Sequence, residues 1–223
     1  MESLPRDKEN IRSYDGIPHV IAHRKYEEYA YVLDYSQRSK SLTVRGREGL
    51  IIQAIGEGRL TLLELLGVQN ANFEVGERVY IGREGRNKIV SVLGKLEYAS
   101  ISQSAKNDLS SIVENIVLSN EARFVSYVNN APPVTPRIHS LELIPGIGKT
   151  YMMGIIKERE KKTFESFLDI QTRIGIKDIH KLISRRIVEE ITGEVRMNLF
   201  VGKWIHNNKK KTDRIRTASS VRQ

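Results

Sequence analysis

The stretch SLELIPGIGKTYMMGIIKERE, Ser140 to Glu160, decides how this chain is read. It closes one apolar run, turns through Pro145-Gly146-Ile147-Gly148, and opens another run at Lys149-Thr150. Glycine, lysine and threonine in that order suit two devices: a loop around a nucleotide triphosphate, or a hairpin that grips a nucleic-acid backbone. The triphosphate loop needs glycine, four residues, then Gly-Lys-Ser/Thr after a buried strand. That spacing puts its first glycine at position 143, which is Leu143. Only Ile147 separates Gly146 from Gly148, and no acidic residue follows a second buried strand to hold magnesium. The triphosphate loop fails.

The hairpin fits. Leu141, Ile144, Ile147, Met152, Ile155 and Ile156 are spaced to pack two helices across the turn. The glycines admit backbone angles closed to other residues and leave the amides uncovered. A helix starting at Lys149 has first-turn amides without internal partners, carrying partial positive charge. Such amides bind phosphate oxygens without reading a base. The expected contact set is therefore Pro145, Gly146, Ile147, Gly148, Lys149 and Thr150. A degenerate copy, TRIGIKDIHKLI, follows 27 residues later, with Ile174 and Gly175 laid over Ile147 and Gly148 and Arg173 in place of Gly146. Gly175 and Lys177 are either a second, weaker phosphate contact or part of a buttress for the first.

Upstream the pattern is strand-like. EYAYVLDY, LIIQAIGE, LTLLELLG, GERVYIGR and KIVSVLGKLEY recur about every dozen residues between glycine, asparagine and charged turns. That spacing predicts a small barrel of the OB or S1 type, although the short apolar run LTLLELLG also suits a helix. Leu109, Ile112, Val113, Ile116 and Val117 then fall on one helical face, with Ser104 placed as the cap. A second turn of helix carries Phe124, Val125 and Val128. NNAPPVTPR, Asn129 to Arg137, predicts a linker, and the chain beyond it reads as helical to about Val201. The expected architecture is α+β: a flexible start (1–17), a barrel (18–101), connecting helices (102–131), a tandem helix-hairpin-helix domain (132–202) and a basic disordered tail (203–223).

Charge is concentrated at one end. Of the net +9, the last 21 residues carry +6, with seven Lys and Arg against one Asp. Lys209, Lys210, Lys211, Arg214 and Arg216 there would add salt-sensitive affinity for a polyanion. In the barrel, Tyr26, Tyr29, Tyr31, Tyr35 and Tyr80 are candidates for stacking bases, with Arg45, Arg47, Arg83 and Arg86 near them in sequence. Strict alternation puts Tyr29, Tyr31 and Tyr35 on one face, either as a platform or as core.

Catalysis finds little support. The chain has no cysteine, which excludes disulfides and thiolate metal sites and fits a reducing cytoplasm. His19 and His23 are four residues apart but lack a third ligand nearby, so no metal and no cofactor is expected. Lys149 and Asp169 are twenty residues apart, as in glycosylases built on this hairpin. An attacking lysine needs burial to lower its pKa, and this one adjoins an exposed turn. No catalytic residue is assigned.

Taken together, EEYAYVLDY, GERVYIGR with the following KI, NEARFVSYVNNAPPVTPRIHSLELIPGIGK and FESFLDIQTRIG resemble the archaeal "domain of unknown function 655" family over residues 14–201. The resemblance implies an RNA- or nucleic-acid-binding protein with an N-terminal OB or S1 barrel and a C-terminal helix-hairpin-helix unit. The family's gene neighbourhood, near translation genes, implies work around ribosomal RNA or its precursors. The expectation is a non-catalytic, cytoplasmic protein that binds RNA in preference to DNA and does not bind membranes. A DNA-repair-associated protein and a protein-interaction scaffold are the alternatives.

Overall fold

The computed structural model describes residues 27–202. Tyr26, His19, His23, His206 and the basic cluster Lys209, Lys210, Lys211, Arg214 and Arg216 lie outside them. Five strands come first: β1 (Tyr29–Lys40), β2 (Glu48–Gly56), β3 (Leu62–Gly67), β4 (Arg78–Tyr80) and β5 (Ile89–Lys95). They form one antiparallel sheet in the order β4-β1-β2-β3-β5, curled into a half-barrel. The concave face buries Val32, Ile52, Ala54, Leu65, Phe73 and Ile81.

β3 is a strand, not a helix, and all six of its residues are buried. It packs on both faces, so the polar alternation that marks a one-sided strand is absent. The one charge in it is fully covered. Glu64 accepts hydrogen bonds from the amides of Leu42 (2.8 Å) and Thr43 (3.0 Å) and the hydroxyl of Ser41 (2.6 Å). Burial works against its charge, but these donors hold its carboxyl below the usual range. The turn after β1 is thereby pinned to the barrel.

The helices follow: α1 (Gln103–Ser119), α2 (Glu121–Asn130), α3 (Lys149–Lys161), α4 (Phe167–Ile174) and α5 (Ile179–Thr192). One continuous apolar cluster joins them to the outer face of the sheet, from Tyr31, Leu33, Ile55 and Leu62 through α1 to Ile183 and Ile187. The cap of α1 is Ser102 rather than Ser104. Its Oγ accepts from the Ala105 amide and donates to Asp34 of β1, while its own amide donates to Gln53 of β2. A helix cap and a sheet contact are the same residue.

The proline-rich segment does end α2, but it is tethered. Pro133–Thr135 and Ile138–His139 pair as a small hairpin, the Pro132 carbonyl accepts from the amide and hydroxyl of Ser140, and Asn129 exchanges two hydrogen bonds of 2.8 Å with the backbone of Phe164. Nor does helix run to Val201. Gly193, at φ +81°, ends α5, and the chain turns back so that Phe200 packs fully buried on Tyr127 and Phe124. Buried Glu190 receives the amides of Leu199, Phe200 and Val201 at 2.7, 3.0 and 2.8 Å, and pairs with buried Arg186 at 3.0 Å. Among the described residues no helix is long and apolar enough to cross a membrane.

Removing one partner of a buried ion pair strands the other charge and typically costs about 3–5 kcal/mol. Glu190→Ala is therefore expected to lose stability on that scale in urea unfolding. Glu189→Ala, one position away on the same helix, is the control and should lose far less.

Candidate nucleic-acid interface

The short helix expected ahead of the glycine turn is a 3-10 turn, Ser140–Leu143. It is built around His139, whose Nδ1 accepts from the Leu141 amide at 3.2 Å while its own amide donates to Glu142 at 3.0 Å. Burial, with Arg159 adding to it, pushes the His139 pKa down, so the neutral ring that accepts is the folded form. The chain then passes Ile144 and Ile147, both buried, and leaves Gly146, Gly148, Lys149 and Thr150 exposed.

The two glycines do different things. Gly146 sits at φ +93°, a conformation that L side chains rarely adopt, and a Cβ there would come within 3.1 Å of Leu182 on α5. Gly148 is at φ −80°, ψ 177°, with open space where its Cβ would be. The expectation that Gly148 needs an angle closed to other residues is corrected: Gly146 carries that constraint, and Gly148 is an ordinary helix cap position. No side chain caps α3 at Gly148, and its first turn holds no acidic residue. The first intrahelical bond is from Met152 to the Gly148 carbonyl, so the amides before it face outward without a helical partner.

The second turn is related to the first by 29 residues, not 27. Gly175, at φ +80°, matches Gly146, and buried Ile176 matches buried Ile147. Lys177 then stands where Gly148 does, and Asp178 where Lys149 does. Arg173 is no substitute for a turn glycine. It lies in the last turn of α4 and caps α3, donating to the Glu158 and Lys162 carbonyls while its guanidinium covers the Phe164 ring at 4.3 Å. The two turns pack reciprocally: Gly146 on Leu182 of α5, and Ile174 against Gly154 of α3. α5 also lacks a side-chain cap, but Asp178 at its start, 3.6 Å from Lys181, sets a carboxylate where the first turn has a lysine. By contrast α1 and α4 are capped by Ser102 and Ser166.

Other candidates fare unevenly. Asp169 is committed to Arg173 at 3.3 Å and to the Glu165 amide at 3.1 Å, a local helix-start role. The tyrosines do not share a face, because β1 carries an irregularity between Val32 and Asp34. Tyr31 is buried toward the helices with its hydroxyl on Glu57 at 3.4 Å. Tyr35, beyond the irregularity, lies by Phe73 on the other side. Tyr29 is covered by Arg78, 3.4 Å from its ring centre, and meets Tyr80 edge-on. Arg78 in turn makes two bonds to Glu57, of 3.0 and 2.8 Å. Arg45 and Arg47 are exposed on the β1–β2 turn, Arg83 is exposed after β4, and Arg86 is half-buried with bonds to the Gly82 and Val90 carbonyls. His180 pairs with Glu114 at 3.2 Å, and no metal-holding cluster occurs among the described residues.

Residues 26–202 match the family described as "Protein of unknown function (DUF655)". An uncharacterised protein of Methanocaldococcus jannaschii, MJ0038, is 41% identical over 171 residues, 77% of either chain. The crystal structure of Af1531 from Archaeoglobus fulgidus, assigned to the same family, superposes with a TM-score of 0.69 at 37% identity, covering 79% of this chain and all of that one.

Two expectations test the site's construction. Gly146→Ala forces a left-handed alanine against Leu182 and should lose at least about 1–2 kcal/mol, whereas Gly148→Ala should lose under about 1 kcal/mol, read by thermal or urea unfolding. The second concerns pH. Unfolded His139 takes up a proton near the ordinary value of about 6.5, but the folded ring titrates lower, so the unfolded state binds more protons between the two values. Stability should be full above that ordinary value and fall as pH drops through it. His139→Asn, whose side-chain oxygen can accept without titrating, should flatten the decline.

Proposed function

The chain belongs to the DUF655 family of proteins of unknown function, and on that premise we propose that it is a non-catalytic nucleic-acid-binding protein. It grips phosphates with the turn Pro145–Thr150, working as the first half of a tandem helix-hairpin-helix unit. The observation that carries this reading is the uncapped start of α3. Outward amides at Gly148, Lys149 and Thr150, a lysine among them and no acidic residue in the first turn make a ready anion site. At α1 and α4 serine oxygens fill that position, while α2 and α5, also without side-chain caps, begin beside the carboxylates of Glu121 and Asp178.

The second turn, with Lys177 beside Asp178, serves mainly to buttress the first. Its reciprocal packing fixes the angle at which the first presents its amides. RNA is the favoured partner, ribosomal RNA or a precursor included, because the hairpin is joined to a half-barrel of OB-like strand order that carries exposed Arg45 and Arg47. OB folds bind single strands through such faces. Lys209, Lys210, Lys211, Arg214 and Arg216 add sequence-independent, salt-sensitive attraction. The protein acts in the cytoplasm.

Gly148→Asp separates binding from folding. Asp is a better N-cap than glycine, and the position has room and an extended backbone for it. The variant should unfold at the same temperature as the parent or higher. It should nevertheless bind structured RNA at least about tenfold more weakly, since the carboxylate takes the amides and repels phosphate. Fluorescence anisotropy at fixed salt, with RNA and duplex DNA of one sequence in competition, reads both points. Preference for the duplex DNA would favour the repair-type reading. Unchanged affinity in a folded Gly148→Asp protein would remove the hairpin from the function, and absence of binding to either polymer would leave the scaffold role.

A further inference from the structure

The turn between β1 and β2 is held more tightly than a surface turn requires. Its anchor is Glu64, fully buried in β3. Four donors of the turn converge on that carboxylate: the amides of Leu42 and Thr43 at 2.8 and 3.0 Å, the Ser41 hydroxyl at 2.6 Å, and the Thr43 hydroxyl. The Ser41 hydroxyl oxygen accepts in turn from the Val44 amide at 2.9 Å, and the Ser41 amide donates to the Arg47 carbonyl at 2.8 Å. Thr43 lies so close over β5 that a Cβ on Gly94 would stand 2.8 Å from its own. A buried carboxylate is destabilising unless its oxygens are met. A surface turn forms without one, so what Glu64 adds is a fixed position for the side chains above it.

Those side chains are unusual for a turn. Leu42 is 61% exposed and Val44 37%. Residues 38–48 hold four cations, Arg38, Lys40, Arg45 and Arg47, against one carboxylate, Glu48, which lies 3.5 Å from Lys40. Arg38, Arg45 and Arg47 are exposed and make no ion pair among the described residues. Charge of this sign fits a polyanion, and the aliphatic tips call for an apolar surface on it. A duplex hides its base faces in the stack, whereas an unpaired strand offers them. A membrane fits less well, because the two side chains together carry about half the carbon of a myristoyl chain, itself a marginal anchor.

We propose that the β1–β2 turn is a prepositioned contact for unpaired RNA. Leu42 and Val44 pack on base faces, Arg45 and Arg47 meet the flanking phosphates, and Glu64 is the positioning residue that holds them. The inference rests on the RNA-binding reading and adds a contact of a different kind. The start of α3 takes phosphate alone, and this turn also takes the base.

Fluorescence anisotropy of the full chain tests it, with a labelled single-stranded RNA of about twelve nucleotides and the same strand annealed as a duplex, each over a salt series. Leu42→Ser should weaken the single strand at least about threefold, with the slope of log Kd against log salt unchanged. Arg45→Gln combined with Arg47→Gln should reduce the magnitude of that slope by about 1.4, the share of two phosphates. All three positions are exposed, so the unfolding temperature should hold. Glu64→Gln leaves one acceptor oxygen where two served and should weaken binding too. In that background Leu42→Ser should weaken it no further, a coupling that a merely structural Glu64 would not produce. Should Glu64→Gln unfold, Ser41→Ala removes one of its donors and tests the same coupling. Parent-like affinity and slope in the Leu42 and arginine variants would overturn the proposal. So would equal losses on the duplex, or Leu42-dependent binding to anionic phospholipid vesicles in place of RNA. If Gly148→Asp weakens binding while these variants do not, this inference alone falls. If the parent binds neither RNA, the reading beneath it falls as well.

Discussion

The close approach of Gly146 to Leu182 sets the geometry of the helical half. A backbone turn can lie against another helix only where no Cβ intervenes, and the positive φ turns the following residues out of the core. Ile147 is then driven inward while Gly148, Lys149 and Thr150 are left at the surface. Because the second turn leans on Gly154 of α3 in return, neither turn can shift without moving the other's helix. The reciprocal contact is why a short 3-10 turn suffices ahead of the hairpin. Position is fixed by packing across the pair rather than by the length of the leading helix.

Helix ends are treated unequally in this fold. Arg159 closes the carbonyl end of α2 with bonds of 2.9 and 3.0 Å to Val128 and Ala131, and Arg173 does the same for α3 through Glu158 and Lys162. Serines close the amide ends of α1 and α4. The start of α3 receives no such partner. α2 and α5 lack side-chain caps as well, but each begins beside a carboxylate, Glu121 or Asp178, so a bare amide end beside a lysine with no acidic residue is what sets α3 apart.

Much of this was readable from the residues because it follows from period and turn chemistry. Five strands, two helices ending at the prolines, and a helix beginning at Lys149 all announce themselves through spacing. What was hidden depends on contacts distant in sequence. Ser102 rather than Ser104 is the cap because Asp34 and Gln53 reach it from the sheet. The tyrosines part company at an irregularity in β1 that no alternation rule can foresee. Ile-Gly recurs in both copies and, laid over itself, displaces the second turn by two residues; only the signs of φ show that Gly146 and Gly175 are the true pair. Glu190, an ordinary helix glutamate in sequence, proves to be the anchor of residues 199–201.

The unpartnered amides at the start of α3 belong to exposed residues, so water meets them and an anion has only that water to displace, which suits weak, exchangeable, salt-dependent contact. One apolar core joins α1 and α5 to the outer face of the half-barrel, and the turn at Gly146 rests on Leu182 of that same α5. Whatever meets those amides is therefore held at a fixed angle to the sheet.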